Sequence, residues 1–223
     1  MMRKTDDQVR KEVLEELEWD SRLASSEIGA HVKDGVVTLV GTAGSYAAKL
    51  AAEEGAHRVP GVLDVANDIQ VRTVGKAARS DSELAQAVRR ALEWDALVDD
   101  ENIHSTVSEG WVTLRGTVDR LRERDDAERA VRHLTGVRGV TNSIAVLGPP
   151  PNVEKLRERL LGALERRARR EAGHIEVRVE EHTVTLSGKV DSWLEKRAVL
   201  GIVSHTPGVR QVNDGLEVDP YHS

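Results

Sequence analysis

The sequence predicts an α+β protein made of three tandem αββαβ repeats, each a three-stranded sheet with two helices on one face. Three observations carry that prediction. A seven-residue stretch recurs as Gly35-Val36-Val37-Thr38-Leu39-Val40-Gly41, Gly110-Trp111-Val112-Thr113-Leu114-Arg115-Gly116 and His182-Thr183-Val184-Thr185-Leu186-Ser187-Gly188, its closing glycines 75 and 72 residues apart. A second glycine followed by valine stands 20 residues further on in every copy, at Gly61, Gly136 and Gly208. Apolar residues keep a helical period before the stretch and alternate within it. Equal offsets in all three copies mean one unit used three times, and they place the repeats at 5–73, 80–147 and 152–219.

Each repeat opens with a helix. Thr5 with Gln8 and Ser80 with Glu83 have capping-box spacing, and Asn152 holds the aligned position without the reciprocal partner. One apolar face follows: Val9, Val13, Leu17; Leu84, Val88, Leu92; Leu156, Leu160, Leu164. Alternation at Ile28, Ala30, Val32, then at Ile103, Ser105, Val107 and Ile175, Val177, Val179, predicts a half-buried strand. Asp34-Gly35 and Glu109-Gly110 are tight-turn pairs that return the chain through Val37-Leu39 and Val112-Leu114. Glu181-His182 breaks the pattern, so the third turn is expected to differ.

Gly41, Gly116 and Gly188 share a face with the Leu two residues earlier and are read as close-packing glycines beneath a crossing helix. A second helix from Ser45, Arg120 and Ser192 turns Ala52/Ala56, Ala127/Val131 and Val199/Val203 inward. One last strand per repeat holds Val65, Ile69, Val71; Val140, Ile144, Val146; and Val212, Leu216, Val218. A right-handed crossover sets it parallel to the second strand. Thr38, Val40, Thr113, Arg115, Thr185 and Ser187 leave the far face partly solvated. Residues 73–80 read as a flexible linker, and Gly148-Pro149-Pro150-Pro151 as a stiffer one.

Repeats this small bury only ~60% of their unfolded surface, so each gains from packing on a neighbour. With 31% charged and 39% hydrophobic residues the chain has the composition of a globular protein. The net charge of −6 is uneven: residues 6–73 carry 7 basic against 13 acidic side chains, 81–147 carry 9 against 13, and 152–219 carry 12 against 12. An anionic partner is therefore repelled by the first two repeats and can approach the third. Cysteine is absent, which excludes disulfides and thiolate sites. Met1 to Asp7 lack the apolar run of a secretory signal, and no stretch approaches the ~20 apolar residues of a membrane span. A cytoplasmic protein is expected on that basis, periplasmic if a leader was trimmed.

The chain resembles the BON domain family of bacterial osmotic-stress and nodulation-related proteins. Leu17-Glu18-Trp19-Asp20, Ile28, Val32, Asp34-Gly35-Val36-Val37-Thr38-Leu39 with Gly41, and Gly61-Val62, Val65, Asn67, Ile69 and Val71 carry the resemblance. The second repeat matches as well through Leu92-Glu93-Trp94-Asp95, Val140, Asn142 and Ile144. The third departs, with Arg166 for Trp, His182 for the turn glycine and Asp214 for Asn. The resemblance implies phospholipid or membrane-surface binding, envelope maintenance and stress protection, without catalysis.

Four arginines, Arg166, Arg167, Arg169 and Arg170, lie in a segment (Lys155–Glu171) with seven basic and three acidic residues. That segment reads as a solvated helix with intrahelical ion pairs or as a patch for lipid head groups. Nucleic acid fits less well, because no aromatic stacking platform accompanies the charge. Leu200 and Ile202 stand where the other copies have Glu53/Gly55 and Glu128/Ala130, which points to an exposed apolar interface. Its candidate partners are another repeat, a second copy of the chain, and lipid. Trp19 and Trp94 are expected to close their helix ends against protein, with a membrane-interface anchor as the functional alternative. Asn67, Asn142 and Asp214 are expected to bond to backbone rather than to a ligand.

The eight histidines have no i, i+4 partner, and no phosphate loop, Gly-x-Ser-x-Gly or cysteine nucleophile occurs. No enzyme activity, metal or cofactor is expected. The expected function is stress-related binding of an anionic phospholipid surface or a macromolecular partner through the third repeat. A scaffold or chaperone-like protein-interaction and self-assembly module is the alternative, with small-ligand or ion sensing behind it.

Overall fold

The computed structural model describes residues 4–24, 26–72, 79–98, 100–148 and 175–219, together with Glu154 and Glu158. In the first repeat α1 (Asp6–Trp19) starts on Thr5, whose hydroxyl accepts from the Gln8 N–H while the Gln8 side chain accepts from the Thr5 N–H, the reciprocal capping box expected. Val9, Val13 and Leu17 are its buried face. Strand β1 (Glu27–Lys33) runs antiparallel to β2 (Val36–Ala43), with Ala30 opposite Leu39. Helix α2 (Tyr46–Arg58), capped by Ser45, then returns the chain to β3 (Asp64–Asn67), parallel to β2. A helix between two parallel strands is what the crossover rule requires.

One difference from expectation lies here. The last strand is interrupted after Asn67 and resumes as β4 (Gln70–Val71), although its register against β2 does not change; nothing in the structure explains the interruption. Helices α1 and α2 pack on each other and on the same sheet, and Val13, Val37, Leu39, Ala52 and Ala56 are fully enclosed between them. Enclosing one leucine such as Leu39 contributes about 2–3 kcal/mol relative to leaving it in water.

The second repeat repeats the plan. Helix α3 (Asp81–Trp94) is capped by Ser80 and Glu83, and β5 (Ile103–Ser108) pairs antiparallel with β6 (Trp111–Val118). Helix α4 (Leu121–Arg132) leads into β7 (Gly139–Val146), and the strands lie in the order β5-β6-β7. In the third repeat β8 (Ile175–Glu180) pairs antiparallel with β9 (Thr183–Val190), and β10 (Gln211–Val218) follows α5 (Trp193–Ser204) to pair parallel with β9. The expected first helix of that repeat, with Leu156, Leu160 and Leu164, lies outside the described residues, as do Pro149 to Pro151 and residues 73–78. The expected inward pairs all hold: Ala127, Val131, Val199 and Val203 are at most 1% exposed. The fold is therefore α+β, with three small mixed sheets. By packing, the chain forms two compact units, 1–116 with 126–144 and 117–125 with 145–223.

The repeat glycines need a correction. Gly41 and Gly116 do not make room for a helix. A Cβ on Gly41 would lie 2.0 Å from the Glu27 carbonyl oxygen, and one on Gly116 1.9 Å from that of Asn102, so the obstacle is the backbone at the start of the neighbouring strand or just before it. Both glycines, and Gly188, also hold φ between 119° and 131°, in the region L side chains avoid. Gly61, Gly136 and Gly208 share a second such position, at φ 93–102°.

The hairpin turns behave as their sequences suggest. Asp34 and Gly35, like Glu109 and Gly110, both take positive φ, the signature of a type I′ turn. A carboxylate at the first position of the preceding helix holds each turn. Asp6 accepts from the N–H groups of Asp34 and Gly35 at 2.9 and 3.1 Å, and Asp81 from those of Glu109 and Gly110 at 2.7 and 2.9 Å. At the third-repeat turn Glu181 takes positive φ and His182 does not, and the residue aligned with Asp6 is Val153, whose side chain has no acceptor. In sequence, the clamping carboxylate and the turn glycine are absent together from that repeat.

Candidate surface-binding site

Arg166, Arg167, Arg169 and Arg170 lie outside the described residues. Leu200 and Ile202 are described, and their expected exposure is corrected: both are half-buried, and so are Glu53 and Glu128 at the aligned position. The first repeat shows what these positions face. A Cβ on Gly55, aligned with Ile202, would come within 2.9 Å of Leu17 Cδ2, so this side of the second helix packs on the first. Glu53, aligned with Leu200, instead accepts from the Asn67 amide at 3.0 Å.

That amide belongs to a small polar cluster. Asn67 also donates to the Lys49 carbonyl at 3.0 Å, and its own carbonyl accepts from the Ile69 N–H at 3.3 Å. Asn142 bonds in the same way to Glu128 and to the Ile144 N–H. In the third repeat Leu200 offers no acceptor for an amide. Asp214 stands there instead of Asn, keeps the bond to the Leu216 N–H at 3.0 Å, and turns its other oxygen to Lys196 at 2.9 Å. Two departures of the third repeat are thus one exchange, in which an Asn–Glu bond becomes an Asp–Lys ion pair. The expectation that these residues bond internally agrees with this geometry.

Helix α5 presents a different residue to solvent. Leu194 is 75% exposed, Arg197 one turn on is exposed, and a Cβ built on Gly201 would meet nothing within 4 Å. Spacing of i, i+3 and i+7 puts the three on one face. Beside that face Lys196 stands 5.0 Å from the centre of the Trp193 ring and donates to the Leu216 carbonyl at 2.6 Å. Sequence reasoning missed Leu194 because its position just inside the helix start reads as part of the cap; its helical angle, well away from Val199 and Val203, is the signal that finds it.

Trp19 and Trp94 also require correction. They do not close their helix ends on protein, being 87% and 86% exposed as the last residues of α1 and α3. Both stand among carboxylates, with Glu18 and Asp20 beside one and Glu93 and Asp95 beside the other. Asp20 is the most constrained of these: Arg22 and Arg58 bond to it, and the Arg22 bond chiefly holds its pKa down to about 2. Among the described residues no cluster of His, Cys, Asp and Glu could hold a metal ion, and no helix is long and apolar enough to cross a membrane.

These features define a tandem α+β repeat protein whose distinctive side chains lie on its surface. The BON domain sequence profile matches residues 5–73, 80–148 and 152–220, and the chain belongs to that family. It is similar to osmotically-inducible protein Y of Escherichia coli (strain K12), with 29% identity over 126 residues. The match spans 55% of this chain and 63% of that protein, less than two thirds of the relative's length. Among solved structures it is similar to CdsD, a structural protein of the type III secretion system of Chlamydia trachomatis, at 12% identity and a TM-score of 0.26 over 94% of this chain and 91% of that one. For the periplasmic domain of PrgH the values are 12% and 0.23 over 92% and 99%. At these scores neither likeness defines a shared arrangement.

Proposed function

We propose that this chain is a non-catalytic, stress-related surface-binding protein that meets an anionic phospholipid surface through its third repeat. The observation that carries the reading is the open face of α5, where Leu194 is three-quarters exposed next to Arg197. A lone exposed leucine on a helix that also offers a cation suits an interface with an apolar interior and anionic head groups. The third repeat is the one without net negative charge, so it alone escapes repulsion from such a surface. The family supports the lipid, and the similarity to osmotically-inducible protein Y of Escherichia coli supports a role in osmotic stress. The reading holds in whichever compartment the chain works.

Vesicle sedimentation tests it. The full chain should co-sediment with anionic vesicles at low salt, be released as salt rises, and stay in solution with neutral vesicles. Leu194→Glu should weaken retention at least about tenfold, because a carboxylate in place of the exposed leucine is both polar and repelled. Equal retention by neutral and anionic vesicles would end the proposal. A second reading, protein interaction or self-assembly, is favoured by Trp19 and Trp94, which expose large apolar surface beside carboxylates that lipid head groups would repel. Concentration-dependent sedimentation abolished by Trp19→Ser with Trp94→Ser supports that reading instead.

A further inference from the structure

The second repeat carries a device that the other two lack. The Trp111 indole lies flat over Gly139, where a Cβ would come within 2.5–2.7 Å of three ring atoms, and its N–H donates to Thr141 Oγ1 at 2.8 Å. The aligned residues are Val36, Asp64 and Ala66 in the first repeat and Thr183, Gln211 and Asn213 in the third. Three positions have therefore changed together: one supplies the ring, one gives it a backbone to lie on, and one holds its polar edge. A ring fixed in that way is a rigid platform, yet it stays 51% exposed. A tryptophan needed only to cover the sheet would be buried deeper.

The platform borders a groove of about 400 Å³ lined by Lys49, Ile69, Gln70 and Val71 from the first repeat and by Ser108, Glu109, Trp111 and Arg138 from the second. Val71 adds apolar wall, Gln70 and Ser108 neutral hydrogen-bonding groups, while the Ile69 side chain is turned into the first-repeat core. Neither Lys49 nor Arg138 forms an ion pair with any described residue. Lys49 and Arg138 outnumber the one lining carboxylate, Glu109, so the groove beside the aromatic face carries a local positive charge in an otherwise acidic body. That single carboxylate and the acidic surroundings disfavour a polyanion such as nucleic acid.

We propose that this groove binds a small anion bearing a flat ring, the ring stacked on Trp111 and its phosphate or carboxylate held by Lys49 and Arg138. The volume suits one ring system with one anionic group. The site is separate from the third-repeat surface and stands or falls independently of it.

Calorimetry on the full chain tests this with four probes: adenosine monophosphate, 4-hydroxyphenylacetate, adenosine and inorganic phosphate. At least one of the two ring-bearing anions should bind with a Kd of about 1 mM or tighter, and which of them binds identifies phosphate or carboxylate as the preferred group. Adenosine and phosphate alone should each bind at least about tenfold more weakly, since each lacks one of the two contacts. Trp111→Val and Arg138→Leu, which install the first repeat's residues, should each cost about tenfold or more. A readout on the unaltered chain accompanies the variants: the Trp111 indole N–H resonance should shift on titration. Failure of both ring-bearing anions to bind overturns the proposal, as does adenosine or phosphate binding equally well, or a Trp111 resonance that does not move.

Discussion

Asn67 and Asp214 show how one side chain decides the chemistry of its surroundings. An amide can serve Glu53 and the Ile69 N–H at once, donating to the first and accepting from the second. A carboxylate has nothing to donate, so Asp214 needs a cation and an apolar Leu200 where the other repeats keep Glu. Asn67→Asp alone should therefore destabilise the chain by about 1–3 kcal/mol, since it sets two carboxylates together and strands the Lys49 carbonyl. Adding Glu53→Leu should recover most of that loss, because Lys49 aligns with Lys196 and can take its role; a double-mutant cycle by chemical denaturation measures the coupling. Gly41→Ala should cost about 3 kcal/mol through its φ and the Glu27 carbonyl. The internal bonding of the asparagines was legible in the sequence, because a polar residue inside an apolar strand must find a partner. The identity of the partner was not, since Glu53 lies 14 residues away on another element and only the crossover angle brings it close.

Individual elements were legible as far as their pattern is local. Capping pairs and the apolar faces of α1 and α3 depend on residues three or four apart, and the structure reproduces them. The turn clamp was not legible, because Asp6 and Asp34 are 28 residues apart, although the joint loss of Asp and Gly in the third repeat carries its trace. Asp6→Ala removes two bonds to the turn and should cost about 1–2 kcal/mol, read from the denaturation midpoint. The exposure of Trp19 follows from its angle, about 200° round the helix from the buried stripe, and not from its bulk. Next to it, Asp20 brings an acid-side dependence. Its carboxyl is held near 2 by the Arg22 bond, below the unfolded value of about 3.9. The stability it contributes is thus fully present above about pH 4 and is lost as pH falls towards 2. Asp20→Asn should flatten the stability profile in that window; an unchanged profile would show that the pair with Arg22 is not populated.

At the level of the molecule, three copies of a small unit share a fold yet differ at the surface, and function lies in those differences. The repeat plan was readable because glycine offsets survive divergence. The surface was not, because exposure depends on what packs alongside: Leu200 looked open and is half-buried, while Leu194 went unremarked and is open. Packing between the first two repeats leaves its own signature. Burial, with Glu128 and Glu53 adding to it, pushes the Tyr46 phenol above its ordinary value, and the Val140 backbone of the second repeat hydrogen-bonds it. A tyrosinate titration should show a step above about pH 10 that disappears in Tyr46→Phe. The stability tied to that phenol is present below pH 10 and lost as pH rises through the folded pKa.

Binding through the third repeat is tested most directly by amide hydrogen exchange of the full chain with and without anionic vesicles. Protection concentrated in α5 around Leu194 and Arg197, with α1 and α3 unchanged, is the expected result. Protection centred on Trp19 and Trp94 instead, or none anywhere, would contradict it.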